Sequence, residues 1–535
     1  MYRDVVSFVR RLTAGAILAG SNTVAFERPD RLPRALLAMA PWGVSLPGGF
    51  AAAAARYPDR VAVVDDEGST TYVELWRRVN AIAKSLEAHG LNSGTQIGLL
   101  CRNHRGFVEW LAAAAATGAD VVFLNTGFAG PQLADVVASE GIDVVIHDDE
   151  FTDIVAECGA RITFDETAMA VMAKAGGRVR PRRSQGSMTI LTSGTTGRPK
   201  GAARRAESAG IEGVAAVLQR IPFRVGDTQV IAAPLFHAWG LSNLLLGISR
   251  CATNVLARRF DPAASLRNIA DHQADVLVVV PVMLARILAL PPATLAQLQT
   301  PSLRVIASSG SALGSKVVTD ALKQFGPVLY NLYGSTEVAV ATIATPADLQ
   351  RAPATAGRAV FGVNVEILDD DGRAVPKGSV GRIFVGGSIP FEGYTDGGQK
   401  EQVRGLTSSG DLGYFDDGLL FVNGRADDMI VSGGENVFPI EVEDLLAQLP
   451  GVAEVVVVGV PDEEFGQVLA AFIVKRAGAA LKAEEVRAHV RTRLARYKVP
   501  RHVKFLKELP RNETGKLLRK SLATSVVSNR ERPRS

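Results

Sequence analysis

Cysteine is scarce: Cys101, Cys158 and Cys251 are the only three in 535 residues. Their wide separation excludes a disulfide framework and a thiolate metal site with short ligand spacing. It fits a reducing compartment, where such residues serve as small apolar core side chains. Long hydrophobic runs are missing too. The run Val276–Ala285 stops at Arg286, and Trp110–Ala119 stops at Asp120. Both fall short of the roughly 20 residues that a membrane span needs. Nor does one sign of charge dominate: 59 basic residues face 55 acidic ones, for a net charge of +4. Aromatic residues make up only 6%, and no Lys/Arg stripe is interleaved with them, so nucleic-acid binding has no support. The mild basic excess reads as solvated surface.

What is present is an ordinary globular balance, 47% apolar and 21% charged, with length for two to four domains. At the N-terminus Arg3, Arg10 and Arg11 precede the short run Leu12–Gly20, as in a weak signal peptide. Asp4 and Gly15 break that pattern. Val5, Phe8, Val9 and Leu12 instead share one helical face, which favours a surface or membrane-peripheral helix on a cytoplasmic protein.

From Gly48 onward, helical patterns alternate with short apolar strands: Val61–Val64, Tyr72–His89, Gln96–Leu100, Phe107–Thr117, Val121–Leu124. The rhythm returns at Gln229–Ala233, Val276–Val280 and Val305–Ala307. It predicts an α/β fold of mostly parallel sheets flanked by helices. The style changes near Asn423–Asp428. Beyond it Val455–Val460 and Ala471–Lys475 read as strands and Ala483–Leu494 as a helix, a small α+β unit. The expected division is an N-terminal extension over 1–47, a large multi-subdomain unit over 48–424 and a small mobile unit over 425–535.

The most informative stretch runs Thr192-Ser193-Gly194-Thr195-Thr196-Gly197-Arg198-Pro199-Lys200-Gly201, after the apolar segment Met188–Leu191. Glycines let backbone N–H groups turn toward an anion, hydroxyls add donors, and Lys200 supplies charge for a polyphosphate. Gly194 and Lys200 have Walker A spacing, but Pro199 replaces the second glycine and Gly201 the Mg²⁺-binding hydroxyl. Pro199 also lacks the N–H that such a cradle uses. A Walker loop is therefore rejected.

This loop resembles the phosphate loop of the adenylate-forming superfamily, which includes acyl-CoA synthetases, firefly luciferase and peptide-synthetase adenylation domains. Roughly residues 48–520 share the resemblance, through several motifs in order. Tyr333-Gly334-Ser335-Thr336-Glu337 matches a second signature. The resemblance implies that Tyr333 stacks on adenine, Thr336 contacts phosphate and Glu337 helps hold Mg²⁺, with Thr192 as a further metal contact. Ser409-Gly410-Asp411 and Asn423-Gly424-Arg425 match the ribose motif, with Ser409 where the family usually has Thr. A carboxylate such as Asp411 suits a vicinal diol because it accepts two hydrogen bonds. Gly310, in Ser309-Gly310-Ser311-Ala312, falls in the adenine-pocket segment, though Ser309 stands where a second glycine is common.

Phe236-His237-Ala238-Trp239-Gly240 resembles the motif near the acyl tunnel, where His237 would orient the carboxylate or gate the tunnel. Asp427 falls at the family's hinge, and Gly433 and Gly434 in the loop lining the CoA tunnel. Arg511-Asn512-Glu513-Thr514-Gly515-Lys516 resembles the terminal lysine motif, with Arg511 where Lys is common; the resemblance makes Lys516 the candidate catalytic lysine. Alone, each of these residues would read as surface charge, a turn or core packing. Their order makes them a site.

The resemblance implies a two-step ligase. A carboxylate displaces pyrophosphate from ATP to form an acyl-adenylate, and coenzyme A then takes the acyl group. Mg²⁺ is the expected cofactor; ATP, CoA and a carboxylic acid are the expected partners. The N-terminal extension and apolar tone favour a medium- or long-chain fatty acid, with aryl and short acids left open. One alternative is an acyl-AMP ligase that passes the adenylate to a carrier protein, but such relatives carry an insertion near the hinge, and the spacing of Gly413, Arg425 and Gly433 leaves little room for it. A peptide-synthetase domain would bring an attached carrier. A non-catalytic binding protein would be expected to lose Glu337 or Lys516.

Overall fold

The structure is a computed structural model that describes residues 30–182, 185–193, 199–205, 211–387, 393, 397–432, 435–512 and 515–527. Two large sheets dominate it. The first has nine strands in the order Arg358–Ala359, Ala339–Ala344, Leu329–Ser335, Val305–Ser308, Val276–Val279, Thr228–Ile231, Thr253–Leu256, Val61–Asp65, Gly68–Thr71. Its centre is parallel, as the alternating pattern predicts. Val276, Leu277, Val278 and Val279 are fully buried, as an all-apolar strand covered on both faces must be. The second sheet has six strands: Ile162–Phe164, Val144–His147, Gln96–Leu100, Asp120–Phe123, Ser187–Ser193, Pro199–Arg205.

Local signals start the helices. Tyr72–Ala88 opens on a capping box, with Glu74 N donating to Thr71 Oγ1 at 3.4 Å and Thr71 N to Glu74 Oε2 at 2.9 Å. This helix and Arg105–Thr117 lie among the buried residues that the two sheets share as one core. Trp42 and Phe50 belong to that core, so chain before residue 48 already packs on the large unit, and the helix Leu46–Arg56 runs across the expected boundary.

A five-stranded sheet follows, formed by Asn364–Leu368, Gly381–Gly386, Leu406–Asp416 and Gln402–Val403, with Leu419–Arg425 paired to Leu406–Asp416. The C-terminal unit is built on the antiparallel pair Val452–Asp462 and Gly466–Lys475, with His502–Leu506 added in parallel. The helix expected over Ala483–Leu494 ends at Arg491. There Thr492 Oγ1 bonds back to the Ala488 carbonyl at 3.0 Å, at the helix C-cap. No helix among the described residues is long and apolar enough to cross a membrane.

Candidate active site

The site forms where the nine-stranded sheet meets the five-stranded one. The strand Leu329–Ser335 carries Tyr333 and Gly334 to its end and pairs antiparallel with Ala339–Ala344, with a register shift between Tyr333 and Gly334. A side chain at Gly334 would overlap the Ala339 carbonyl oxygen, which is why glycine stands there. In the tight return, Ser335 Oγ accepts from Glu337 N at 3.2 Å and Val338 N at 3.3 Å. Thr336 and Glu337 are left half-exposed at the rim.

Across the gap, Asp411 sits on Leu406–Asp416 in register with Arg425 on Leu419–Arg425. The Tyr333 phenol donates to Asp411 Oδ2 at 2.6 Å. Burial, with the Asp411 charge beside it, pushes the phenol well above its ordinary range, so it stays a donor. Burial likewise raises the Asp411 carboxyl, partly offset by Tyr333 and Arg425. Arg425 Nε lies 3.8 Å from Asp411 Oδ1 and 3.2 Å from Asp427 Oδ1. The Ser409 hydroxyl donates to the Ile383 carbonyl at 3.0 Å and accepts from Asp411 N at 3.1 Å. Serine in place of threonine therefore keeps the hydroxyl that braces Asp411.

The neighbouring strand ends add a second wall. Ser309 Oγ donates to the Leu332 carbonyl at 2.9 Å, tying the segment after Val305–Ser308 to the Tyr333 strand. Gly310 has φ +99°, open to glycine, and faces Val280. Gly515 approaches the same segment so closely that a side chain on it would overlap Val282. The Lys516 turn thus lies against Val280–Val282, the segment that also faces Gly310. The turn is self-braced: Gly515 N donates to Asn512 O at 2.8 Å, Lys516 N to Asn512 Oδ1 at 2.9 Å, and the Arg511 guanidinium to Gly515 O at 2.8 Å. Lys516 itself is exposed.

His237 stands at the start of the helix Ala238–Ser249, its ring 4.4 Å from that of Phe236. The residue is half-buried, but Nε2 is shielded and has no hydrogen-bond partner. Burial lowers its pKa to about 4, so the imidazole is neutral near pH 7. Trp239 Nε1 donates to the Val279 carbonyl at 3.0 Å, which sets this motif beside Val280.

Tyr333, Gly334, Asp411, Arg425 and Asp427 thus converge, with Thr336 and Glu337 beside them. Gly310 and the Lys516 turn meet at Val280–Val282, and His237 borders that segment. Thr192, Ser193 and Lys200 lie on the antiparallel strands Ser187–Ser193 and Pro199–Arg205, paired Thr192 to Lys200. A strand hairpin, rather than the strand-to-helix turn of a Walker loop, therefore frames the phosphate segment. Gly194, Thr195, Thr196, Gly197, Gly433 and Gly434 lie outside the described residues, as do the side chains of Thr192, Ser193 and Lys200.

The sequence missed two relationships: the Tyr333–Asp411 bond, between residues 78 apart in the chain, and the Gly515–Val282 approach. It also missed one grouping. Cys101, His104 and Asp148 come together in the interior. His104 Nε2 bonds Asp148 Oδ1 at 2.8 Å, while its Nδ1 accepts from Gly106 N at 3.2 Å. Both ring nitrogens are thus engaged, and the Arg258 guanidinium lies 3.6 Å from Asp148 Oδ2. A cation has no place there. All three cysteines are buried.

Fold and site together define an adenylate-forming enzyme. Residues 50–395 match the family model described as AMP-binding enzyme, and residues 441–516 match AMP-binding enzyme C-terminal domain. The chain is 34% identical over 484 residues to an indoleacetate–CoA ligase of Aromatoleum aromaticum, covering 86% of this chain and 94% of that protein. It is 30% identical over 490 residues to the fatty acid–[acyl-carrier-protein] ligase ScoC of Streptomyces coeruleorubidus, covering 87% and 93%. Among solved structures it resembles the o-succinylbenzoate CoA synthetase of Bacillus subtilis in complex with its acyl-adenylate, with TM-score 0.78, 28% identity and 89% and 97% coverage. The chain belongs to the AMP-binding enzyme family, and it is an AMP-forming acid–thiol ligase.

Proposed function

We propose that the chain activates an aromatic carboxylic acid as its adenylate and transfers the acyl group to CoA. The observation that carries this reading is the convergence of Tyr333, Asp411 and Arg425 with the Lys516 turn docked nearby. Asp411 binds the ribose hydroxyls, and Tyr333, Gly334 and Gly310 hold adenine. The 192–200 hairpin and Thr336 bind phosphate. Lys516 donates to the carboxylate and α-phosphate oxygens as charge builds. His237, neutral and with a shielded, unpartnered Nε2, orients the acid carboxylate. Glu337, a half-exposed carboxylate beside Thr336, is the kind of hard oxygen donor that would hold Mg²⁺ together with Thr192; the ion would neutralise phosphate charge. The small unit then turns about Asp427, and the CoA thiol enters past Gly433 and Gly434.

An aromatic acid is favoured by the relatives named for indoleacetate and o-succinylbenzoate. A fatty acid, favoured by the sequence, is the second reading, supported by the fatty-acid ligase among the relatives. A cytoplasmic location with peripheral membrane contact belongs to the same proposal. The N-terminal helix lies outside the described residues, but the adjacent helix Arg31–Met39 leaves Leu36 52% and Leu37 74% exposed.

Pyrophosphate release across aryl, short-chain and fatty acids, with thioester detection by mass spectrometry, tests the reading. Aryl-CoA formed faster than fatty acyl-CoA is the expected result. Acyl-AMP without thioester, for every active acid, overturns CoA as acceptor; preference for long chains overturns the aromatic assignment.

A further inference from the structure

The small unit touches the large one at a second place, apart from the lysine turn. Asp444, on the helix Pro439–Ala447, meets the start of the helix Ser315–Phe325. Ser315 Oγ donates to Asp444 Oδ2 at 3.2 Å, and Asp444 Oδ1 would lie 3.5 Å from a Cβ built on Gly314, so the carboxylate faces the start of the helix. A helix start leaves several N–H groups without partners and carries partial positive charge. The helix Ser315–Phe325 has nothing local to meet that need: its N-cap is Gly314, and its first turn holds no acidic residue. The cap missing from its own sequence comes from the other unit.

Asp444 and Lys516 belong to the same hydrogen-bonded unit. Glu443, next to Asp444, accepts from the Arg519 guanidinium at 2.8 and 3.1 Å and from Val457 N at 2.8 Å. Arg519 also donates to the Val457 carbonyl at 2.7 Å and stands three residues after Lys516. The capping helix, the strand Val452–Asp462 and the segment that follows the lysine turn are thereby tied into one body.

We infer that Asp444 is a positioning residue, which caps the helix Ser315–Phe325 while the Lys516 turn lies against Val280–Val282 and so latches the small unit in the lysine-in arrangement. The inference rests on the proposed movement of that unit between the two half-reactions. When the unit turns away, the helix start loses its cap to water. A helix cap is worth about a fivefold bias in an equilibrium.

The test uses Asp444→Ala and Asp444→Asn in the full chain, with spin labels at Lys323→Cys and Glu485→Cys. The three native cysteines are buried, so labelling falls on the introduced pair. Asp444→Ala is expected to shift the distance distribution away from the wild-type arrangement, with Asp444→Asn in between. Single-turnover pyrophosphate release should slow about fivefold, while thioester formation from preformed acyl-AMP stays unchanged or quickens. Gly314→Ser, which gives the helix a local cap in both arrangements, should act in the same direction. An unchanged distance distribution, or equal slowing of both half-reactions, overturns the latch. A shifted distribution in a protein that adenylates no acid keeps the latch and overturns the proposed function instead.

Discussion

The phenol of Tyr333 donates to Asp411 at 2.6 Å, joining the end of a nine-stranded sheet to a strand of the five-stranded one. It fixes the carboxylate that the proposed mechanism assigns to ribose before any nucleotide arrives. Such preorganisation lowers the ordering cost of binding.

That arrangement has a stability cost with a definite sign. Burial raises the Asp411 carboxyl above its ordinary 3.8. A group whose pKa is raised on folding favours the fold while protonated, and this contribution is lost as pH climbs from about 4 through the folded value. At pH 7 the protein therefore carries an ionised carboxylate that it would rather hold neutral. Asp411→Asn should leave the melting temperature at pH 7 equal or higher, yet raise the KM for ATP about 10- to 100-fold through lost charged hydrogen bonds. Thermal melts beside ATP titrations check both. A destabilised variant with normal KM for ATP would contradict the assignment.

His237 carries the opposite sign. Its pKa falls from 6.5 to about 4 because burial penalises the imidazolium. The unfolded chain binds that proton more readily, so His237's contribution is complete above pH 6.5 and lost as pH falls toward 4. The melting temperature of His237→Gln should therefore decline less than that of wild type between pH 6.5 and 4.5. Parallel declines would mean that His237 is not held neutral. Because the ring is already neutral, the pH–rate profile should show no step from His237 between pH 5.5 and 8.

How far the sequence reached depends on whether chemistry or position was at issue. Parallel central strands were legible because four consecutive apolar residues such as Val276–Val279 can be satisfied only by burial on both faces. Tyr333, Asp411 and Arg425 were legible as residue types in motifs. Their mutual bonds were not, since contacts across 78 positions leave no local pattern. Asp444 was invisible for the same reason: one carboxylate on an amphipathic helix looks like any other until the uncapped helix it meets is placed beside it. The boundary near residue 48 blurred because Trp42, a single aromatic between Pro41 and Gly43, gives no periodic signal of its burial.

The approach of Gly515 to Val282 predicts a glycine requirement with two separable causes. Gly515 has φ +76°, and its Cβ would overlap Val282. Gly515→Ala should push the lysine turn off its seat and slow adenylation at least about 10-fold, with thioester formation from preformed adenylate within about twofold. Val282→Ala in the same chain removes the overlap but not the backbone strain. The double variant should recover adenylation to within about fivefold of wild type, a coupling that a double-mutant cycle measures directly. No recovery would mean that the turn docks elsewhere during catalysis.

Lys516→Ala isolates the charge from the docking. The turn that carries Lys516 is braced by Asn512 and Arg511 through the backbone, so removing the exposed side chain should leave the turn and the fold in place. Stability should change by less than about 0.5 kcal/mol. Adenylation should fall about 10²–10³-fold, or roughly 3–4 kcal/mol, because a donor aimed at developing charge is lost. Thioester formation from preformed acyl-AMP should be nearly unaffected, since in the proposed movement the lysine turn has then left the site. The two variants differ in one respect that separates their causes: Val282→Ala should rescue Gly515→Ala but do nothing for Lys516→Ala. Wild-type adenylation by Lys516→Ala would remove the residue from the mechanism. Equal loss in both half-reactions would give it a general binding role, because only a group present in one arrangement can slow one step alone.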